Sequence, residues 1–313
     1  MKVFVTGVGG QLGHDVMNEL AKRGHEGVGS DLAAEYSGIA DGSAVTKMPY
    51  VSMDITDAAA VETVLQEVKP DAVVHCAAWT AVDLAEDDDK VDKVRSINAG
   101  GTKNIAEVCK KLDCKMVYLS TDYVFDGQGT KPWDPDCKIY QPLNVYGQTK
   151  LEGELAVSET LDKYFIVRIA WVFGINGKNF IKTMLNVGKT HDTLKVVSDQ
   201  VGTPTYTYDL ARLLVDMIET DKYGYYHVTN EGGFISWYDF TKEIFRQAVE
   251  LGHTEYSEDR LTVLPVTTAE YGLSKAKRPF NSRLDKSKLV EAGFTPLPTW
   301  QDALSRYLKE IEQ

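Results

Sequence analysis

The chain has 313 residues, 43% apolar and 26% charged, with 34 Lys and Arg against 46 Asp and Glu and a formal charge of −12. That length suggests two domains, or one large domain with an appendage, and a core that removes roughly three quarters of the unfolded surface from water. The acidic balance argues against the basic stripe of a nucleic-acid binder, while leaving room for a phosphate held by backbone N–H groups. No apolar stretch approaches the ~18 residues of a spanning helix. The opening run Met1-Lys2-Val3-Phe4-Val5 shows no leader, so the expected compartment is the cytoplasm. Cys76, Cys109, Cys114 and Cys137 form no C-x-x-C pair and fit no disulfide framework, which reads as buried, reduced thiols without a zinc site.

In chain order, Val3-Phe4-Val5 reads as a strand ending in glycines, followed by a helix with Leu12, Val16 and Leu20 spaced by four. Gly27 to Asp31 is a second strand, residues 33 to 49 a polar loop, and Tyr50 to Met53 a third strand. Asp57 caps a helix carrying Val61, Val64, Leu65 and Val68 on one face. Asp71–His75 and Lys115–Leu119 are further strands separated by a helix from about Asn98 to Lys111, and Tyr164–Ile169 is another strand. Near-continuous apolar strands alternating with amphipathic helices predict a parallel sheet covered on both faces. From about residue 172 prolines, aromatics and loops increase, and Tyr225-Tyr226-His227-Val228 could rejoin the sheet. The expected division is therefore 1–171 with about 206–230 as one domain, and 172–205 with 231–313 as a smaller substrate-binding region.

Gly7, Gly10 and Gly13 follow the first strand and open the first helix. Such a turn needs glycine for its tightness, for approach of a pyrophosphate to the backbone, and for helix–strand packing. A glycine-rich turn without a ligand is the competing reading, and the strand-before, helix-after context favours a dinucleotide. Asp31, at the end of the second strand, is suited to accept from the adenosine ribose hydroxyls and to repel a 2′-phosphate. With no Arg close behind it, NADH is expected over NADPH. Asp54 reads equally as an adenine contact or as a local turn.

Tyr146 and Lys150 stand four apart, on one face if helical. A phenol near pKa 10 is sluggish at neutral pH, and a nearby ammonium would lower it toward a useful range. The spacing recurs at Tyr271 and Lys275, in a proline-bordered stretch read as structural. Tyr146 differs in having Thr121 available, just past the strand Lys115–Leu119, where ligands meet a parallel sheet. Hydroxyl, phenol and ammonium together suit hydride transfer to or from a carbon bearing oxygen.

These glycines, Tyr146-x-x-x-Lys150 and Asn98 in Ile97-Asn98-Ala99-Gly100-Gly101-Thr102 resemble the extended short-chain dehydrogenase/reductase superfamily. Within it the chain is similar to the dTDP-4-dehydrorhamnose reductase family. The likeness runs through Ala77 to Glu86, Ser120 to Gly127, Pro142 to Lys150, Trp171 to Phe173, Asp199 to Thr205 and Arg278 to Leu284. The resemblance implies a Rossmann-type doubly wound α/β fold and reduction of a 4-keto sugar nucleotide by NADH or NADPH. Tyr146 would supply the proton, Lys150 would tune it and hold a ribose, and Thr121 would bind the reacting oxygen beside Asp122. Gly7, Gly10, Gln11, Leu12, Gly13, Asp31, Asp54, Ile55, Ala78, Trp79 and Thr80 would line the cofactor, while Val82 and Trp171 would contact the sugar nucleotide. A dTDP-sugar is the implied partner, and a homodimer is compatible with it. Another nucleotide-sugar reductase or epimerase is the alternative, or a non-catalytic regulatory subunit like the methionine adenosyltransferase β subunit.

Some family members hold a divalent metal with carboxylates, but here Asp15 and the Tyr208-Asp209 pair depart from that pattern, and no metal is expected. Glu86 to Asp89 reads as a solvated face, His75 as a satisfied core histidine, and Ala303, Leu304, Tyr307 and Leu308 as the packing stripe of a C-terminal helix.

Overall fold

In the computed structural model, which describes residues 1–312, β1 (Lys2–Thr6) turns Val3 and Val5 to one side and Phe4 to the other, all three fully buried. A strand dry on both faces needs helices above and below. α1 (Gln11–Lys22) supplies the first, laying Leu12, Val16, Met17 and Leu20 on the side of Val3 and Val5. β2 (Glu26–Asp31) and β3 (Tyr50–Ser52) follow, joined by a connection whose one regular turn is Ala44–Thr46. Asp57 caps α2 (Ala58–Val68) by accepting from Ala59 and Ala60 N–H, and Val61 and Leu65 join Phe4 on the second face.

β4 (Ala72–His75) leads to α3 (Val91–Arg95), which passes through a π-helical turn at Ser96–Gly101 into α4 (Thr102–Leu112). The helix expected from Asn98 thus starts earlier, and its widened turn holds the Asn98 side chain inward. β5 (Lys115–Thr121) runs two residues past its expected end and so finishes on Thr121 itself. α5 (Val145–Thr160) and β6 (Tyr164–Ile169) close the alternating half.

The remaining elements are β7 (Val172–Phe173), α6 (Phe180–Gly188), β8 (Thr193–Val197), β9 (Val201–Gly202), β10 (Thr205–Tyr206), α7 (Thr207–Ile218) and β11 (Gly224–His227). They are followed by β12 (Ile235–Ser236), α8 (Trp237–Glu250), β13 (Thr262–Val266), α9 (Thr268–Tyr271), α10 (Ser287–Glu291) and α11 (Trp300–Ile311). β11 pairs parallel with β6, returning Tyr225 to His227 to the sheet. The seven parallel strands run in the order β11-β6-β5-β4-β1-β2-β3, a doubly wound Rossmann-type sheet whose order reverses between β1 and β4. A separate apolar cluster forms from Phe173, Ile181, Phe240 and Ile244 with Ala303, Leu304, Tyr307 and Leu308 of α11, the packing role expected of that helix. Among the described residues, no helix is long and apolar enough to cross a membrane.

Arg168 of β6 and Glu154 of α5 are both fully buried. The guanidinium donates twice to the carboxylate, at 2.8 and 2.7 Å, and also to Pro135 O and the Tyr140 hydroxyl. The pair pins α5 against the sheet. Glu154→Ala leaves the Arg168 charge buried without its partner and is expected to cost about 3–5 kcal/mol in urea unfolding; a loss below about 1 kcal/mol contradicts that role.

Candidate functional site

The carboxyl ends of β1, β2, β4, β5 and β6 open onto a groove of about 1140 Å³. A pocket for one small ligand is roughly 300–1,000 Å³, so this groove lies just above the upper end of that range. At one end Gly7 adopts φ +71°, and a Cβ there would lie 2.7 Å from Ala77 N. A Cβ on Gly13 would overlap the Gly7 carbonyl oxygen, so the start of α1 packs against the turn only as glycine. The start of α1 opens onto the groove through Gln11, Leu12 and Gly13, while the Gly10 N–H is held by Gly7 O.

Asp31 lines the groove and also holds the turn, its two oxygens accepting from Gly9 N (2.9 Å) and Leu32 N (2.7 Å). Asp54 accepts from the Thr56 N–H and hydroxyl, the local-turn reading, yet still faces the groove. Ile55, Ala78 and Thr80 are on the wall. Trp79 is not, contrary to expectation. Its backbone N–H donates to Asn98 Oδ1 (2.8 Å) and its indole N–H to Ala81 O (3.0 Å). Asn98 also donates to Thr149 Oγ1, tying this loop to α5.

Asn144 caps α5 by accepting from Gly147 N (2.8 Å), which directs Tyr146 and, one turn on, Lys150 at the end of β5. The Thr121 hydroxyl donates to Asp122 Oδ1 (3.1 Å) and accepts from Tyr123 N, and it lines the groove together with Tyr146. Burial, then the nearby Asp122 and Tyr123, raise the phenol above its ordinary range, with the Thr121 hydroxyl opposing them weakly. The expectation that Lys150 makes Tyr146 more acidic is therefore not met. Lys150 is itself nearly inaccessible, its Nζ 4.3 Å from the Tyr118 ring centroid, and burial lowers it to about 7 against the pull of Glu154 and Cys76. Burial likewise brings the Asp122 carboxyl up to about 6.

At the far end Val82 and Trp171 face the groove with Phe180, Phe240, Trp237 and Arg278. Trp171 is a half-buried wall residue that also packs against the core cluster of Val124, Phe125 and Leu284. It has φ +52° and stacks on Trp237 at 3.7 Å, so one of its faces is covered. Sequence reasoning missed Trp237 and Phe240, which arrive from α8 with no local signal. It also missed Ser30 and Ser120, which lie next to Asp31 and Thr121 at strand ends and were open to the strand-end rule.

The groove suits polar ligands. Ser30 Oγ, Ser120 Oγ and Asp122 Oδ2 on its walls are buried without a hydrogen-bond partner in the chain. The carboxylates that the resemblance would offer a metal do not suit one. Asp15 accepts from the Thr207 hydroxyl and is raised by burial to about 7, while Asp209 is paired with Arg306 and Asn230.

Glu86 is not merely a solvated acid, since it accepts from Val145 N (2.7 Å) at the head of α5. Lys275 of the second Tyr-x-x-x-Lys pairs with Asp87, and neither it nor Tyr271 reaches the groove. His75 accepts or donates to Thr6 and Thr102 hydroxyls and is lowered to about 3 by burial, a satisfied core residue as expected.

Fold and groove together define an α/β protein with a Rossmann-type parallel sheet and a large ligand groove at the carboxyl ends of its strands. The sequence profile of the family described as RmlD substrate binding domain matches residues 1–313, and the chain belongs to that family. It is 38% identical to the spore coat polysaccharide biosynthesis protein SpsK of Bacillus subtilis (strain 168), over 99% of this chain and 97% of that one. The crystal structure of a dTDP-4-dehydrorhamnose reductase from Clostridium acetobutylicum ATCC 824 superposes with a TM-score of 0.86 at 40% identity, covering 100% of both chains. That of a dTDP-4-dehydrorhamnose reductase from Bacillus anthracis str. Ames in complex with NADP gives 0.85 at 37% identity, covering 99% of both.

Lys150 carries a linkage consequence. Its folded value of about 7 lies below that of a free lysine, ~10.4. Folding therefore disfavours the ammonium: the cost is absent above pH ~10.4 and grows as pH falls toward 7. Lys150→Met is expected to melt at a higher temperature than the parent at pH 7, with the gap narrowing toward pH 10. A gap constant over that range contradicts the assignment.

Proposed function

We propose that this chain reduces the 4-keto group of dTDP-4-dehydro-L-rhamnose to give dTDP-L-rhamnose, with NADH or NADPH as reductant. The observation that carries the reading is the convergence of Thr121, Tyr146 and Lys150 midway along a groove with a glycine cradle at one end and an aromatic wall at the other. Bound reduced nicotinamide supplies hydride to C4. Tyr146 hands its phenolic proton to the oxygen of the same carbonyl, and burial that keeps the phenol protonated at neutral pH suits a donor. The Thr121 hydroxyl binds the reacting oxygen, held in place by Asp122. Lys150 holds the nicotinamide ribose and, when protonated, favours the phenolate that Tyr146 becomes.

Gly7, Gly10, Gln11, Leu12 and Gly13 form the pyrophosphate seat. Asp31 takes the adenosine ribose, Asp54 and Ile55 the adenine, and Ala78 and Thr80 the middle of the dinucleotide. Val82 and Trp171 meet the sugar, so residues 1–171 with about 206–230 serve the dinucleotide, and 172–205 with 231–313 the sugar nucleotide. Asp31 favours NADH, and the relative crystallised with NADP is reason to test both.

The test is loss of reduced-nicotinamide absorbance with a panel of 4-keto-6-deoxy sugars on dTDP, UDP and GDP. Turnover is expected with the dTDP-L-sugar, and Thr121→Val is expected to lower kcat about 10²-fold or more. Dinucleotide binding without oxidation of any panel member would instead identify a regulatory nucleotide holder. Turnover of only a UDP- or GDP-sugar would identify a different reductase.

A further inference from the structure

The glycine cradle is braced from the opposite half of the molecule. When the N–H groups of a glycine-rich turn face a ligand, its carbonyls point away from it and need partners of their own. Here the carbonyls of Gly9 and Gly10 both receive the side-chain amide of Asn176, at 2.9 and 3.2 Å. The Asn176 oxygen accepts from Ile39 N (3.2 Å), in the long connection that follows Asp31. The side chain is 4% exposed, so water has little access to replace it. Asn179, three residues on at the head of α6, adds a second tie by donating to Gln11 Oε1 (3.1 Å) and to the Tyr307 hydroxyl.

We propose that Asn176 is a positioning residue for the dinucleotide, a latch that fixes the glycine turn and the adenosine-side connection to the wall that begins at Trp171. The inference rests on the dinucleotide reading of the groove. Within the first half of the chain, the turn is held by Gly10 N to Gly7 O (3.0 Å), a long Val8 N to Ser30 O contact (3.3 Å) and the Asp31 carboxylate. Asn176 gathers the two carbonyls flanking the seat and the neighbouring loop with one planar group. Ordering that turn before the ligand arrives removes a cost that binding would otherwise bear. Gly177 and Lys178 of the same segment face the groove, so the latch sits directly behind the wall it braces.

The experiment is fluorescence titration of NADH and NADPH into the full chain and into Asn176→Ala and Asn176→Asp, with steady-state kinetics alongside. Asn176→Asp keeps the shape and the acceptor for Ile39 N while replacing the donor by an oxygen facing two carbonyl oxygens, so it tests the donor even where the alanine variant folds poorly. Both variants are expected to raise the dinucleotide Kd and KM about tenfold, with the aspartate at least as severe, and the loss is expected to fall on KM rather than kcat. Parent and variants agreeing in Kd within twofold would overturn the latch while leaving the function intact, as would a fall in kcat at unchanged Kd. Failure of the parent itself to bind either dinucleotide would overturn the functional reading, and the latch with it.

Discussion

Desolvation of one phenol and one amine is the constraint on which the site depends. Tyr146 and Lys150 are carried by α5 against the end of β5, where the protein leaves little water to stabilise a phenolate or an ammonium. Each group is driven toward its neutral form. That arrangement suits the proposed reduction, in which the phenol would wait with its proton and the charge left on it would be met by a lysine poised near pH 7. Much of the surrounding structure keeps this helix in place. Asn144 and Glu86 satisfy its first N–H groups, Asn98 ties Thr149 to the neighbouring loop, and the buried Arg168–Glu154 pair anchors it one turn beyond Lys150.

The same groove joins two recognition problems. The end proposed for the cofactor is built from the backbone, through glycines at which a Cβ would collide with the turn, and carries the Asp31 carboxylate. Its other end is built from aromatic rings contributed by α6 and α8, with Trp171 and Trp237 stacked face to face. The buried orphan oxygens of Ser30, Ser120 and Asp122 are spread along the walls, marking where polar ligand atoms would repay their desolvation.

Much of the fold was legible because parallel, doubly covered strands leave continuous apolar runs, and because caps such as Asp57 act locally. Even the return of Tyr225 to His227 to the sheet edge could be read from that composition. That the glycine turn and Thr121, Tyr146 and Lys150 would share one groove was legible for a related reason, since glycine turns and strand ends carry their meaning in a few consecutive residues. What escaped was non-local. Asn176 braces groups more than a hundred residues away, Trp237 stacks on Trp171 from a different element, and no spacing announces either. Trp79 was drawn into the cofactor set by its neighbours, yet Asn98 and Ala81 take its polar groups elsewhere. The sign of the Tyr146 shift was misjudged because a spacing of four reveals proximity and says nothing of burial, which outweighs it here.

The account turns on where the proton comes from. The most direct measurement is the single-turnover rate of nicotinamide oxidation by Tyr146→Phe with the dTDP-keto-sugar, alongside its dinucleotide affinity. The account predicts a rate lower by about 10²–10⁴-fold with affinity within a few-fold of the parent. A variant that oxidises the nicotinamide at the parental rate would show that another group supplies the proton.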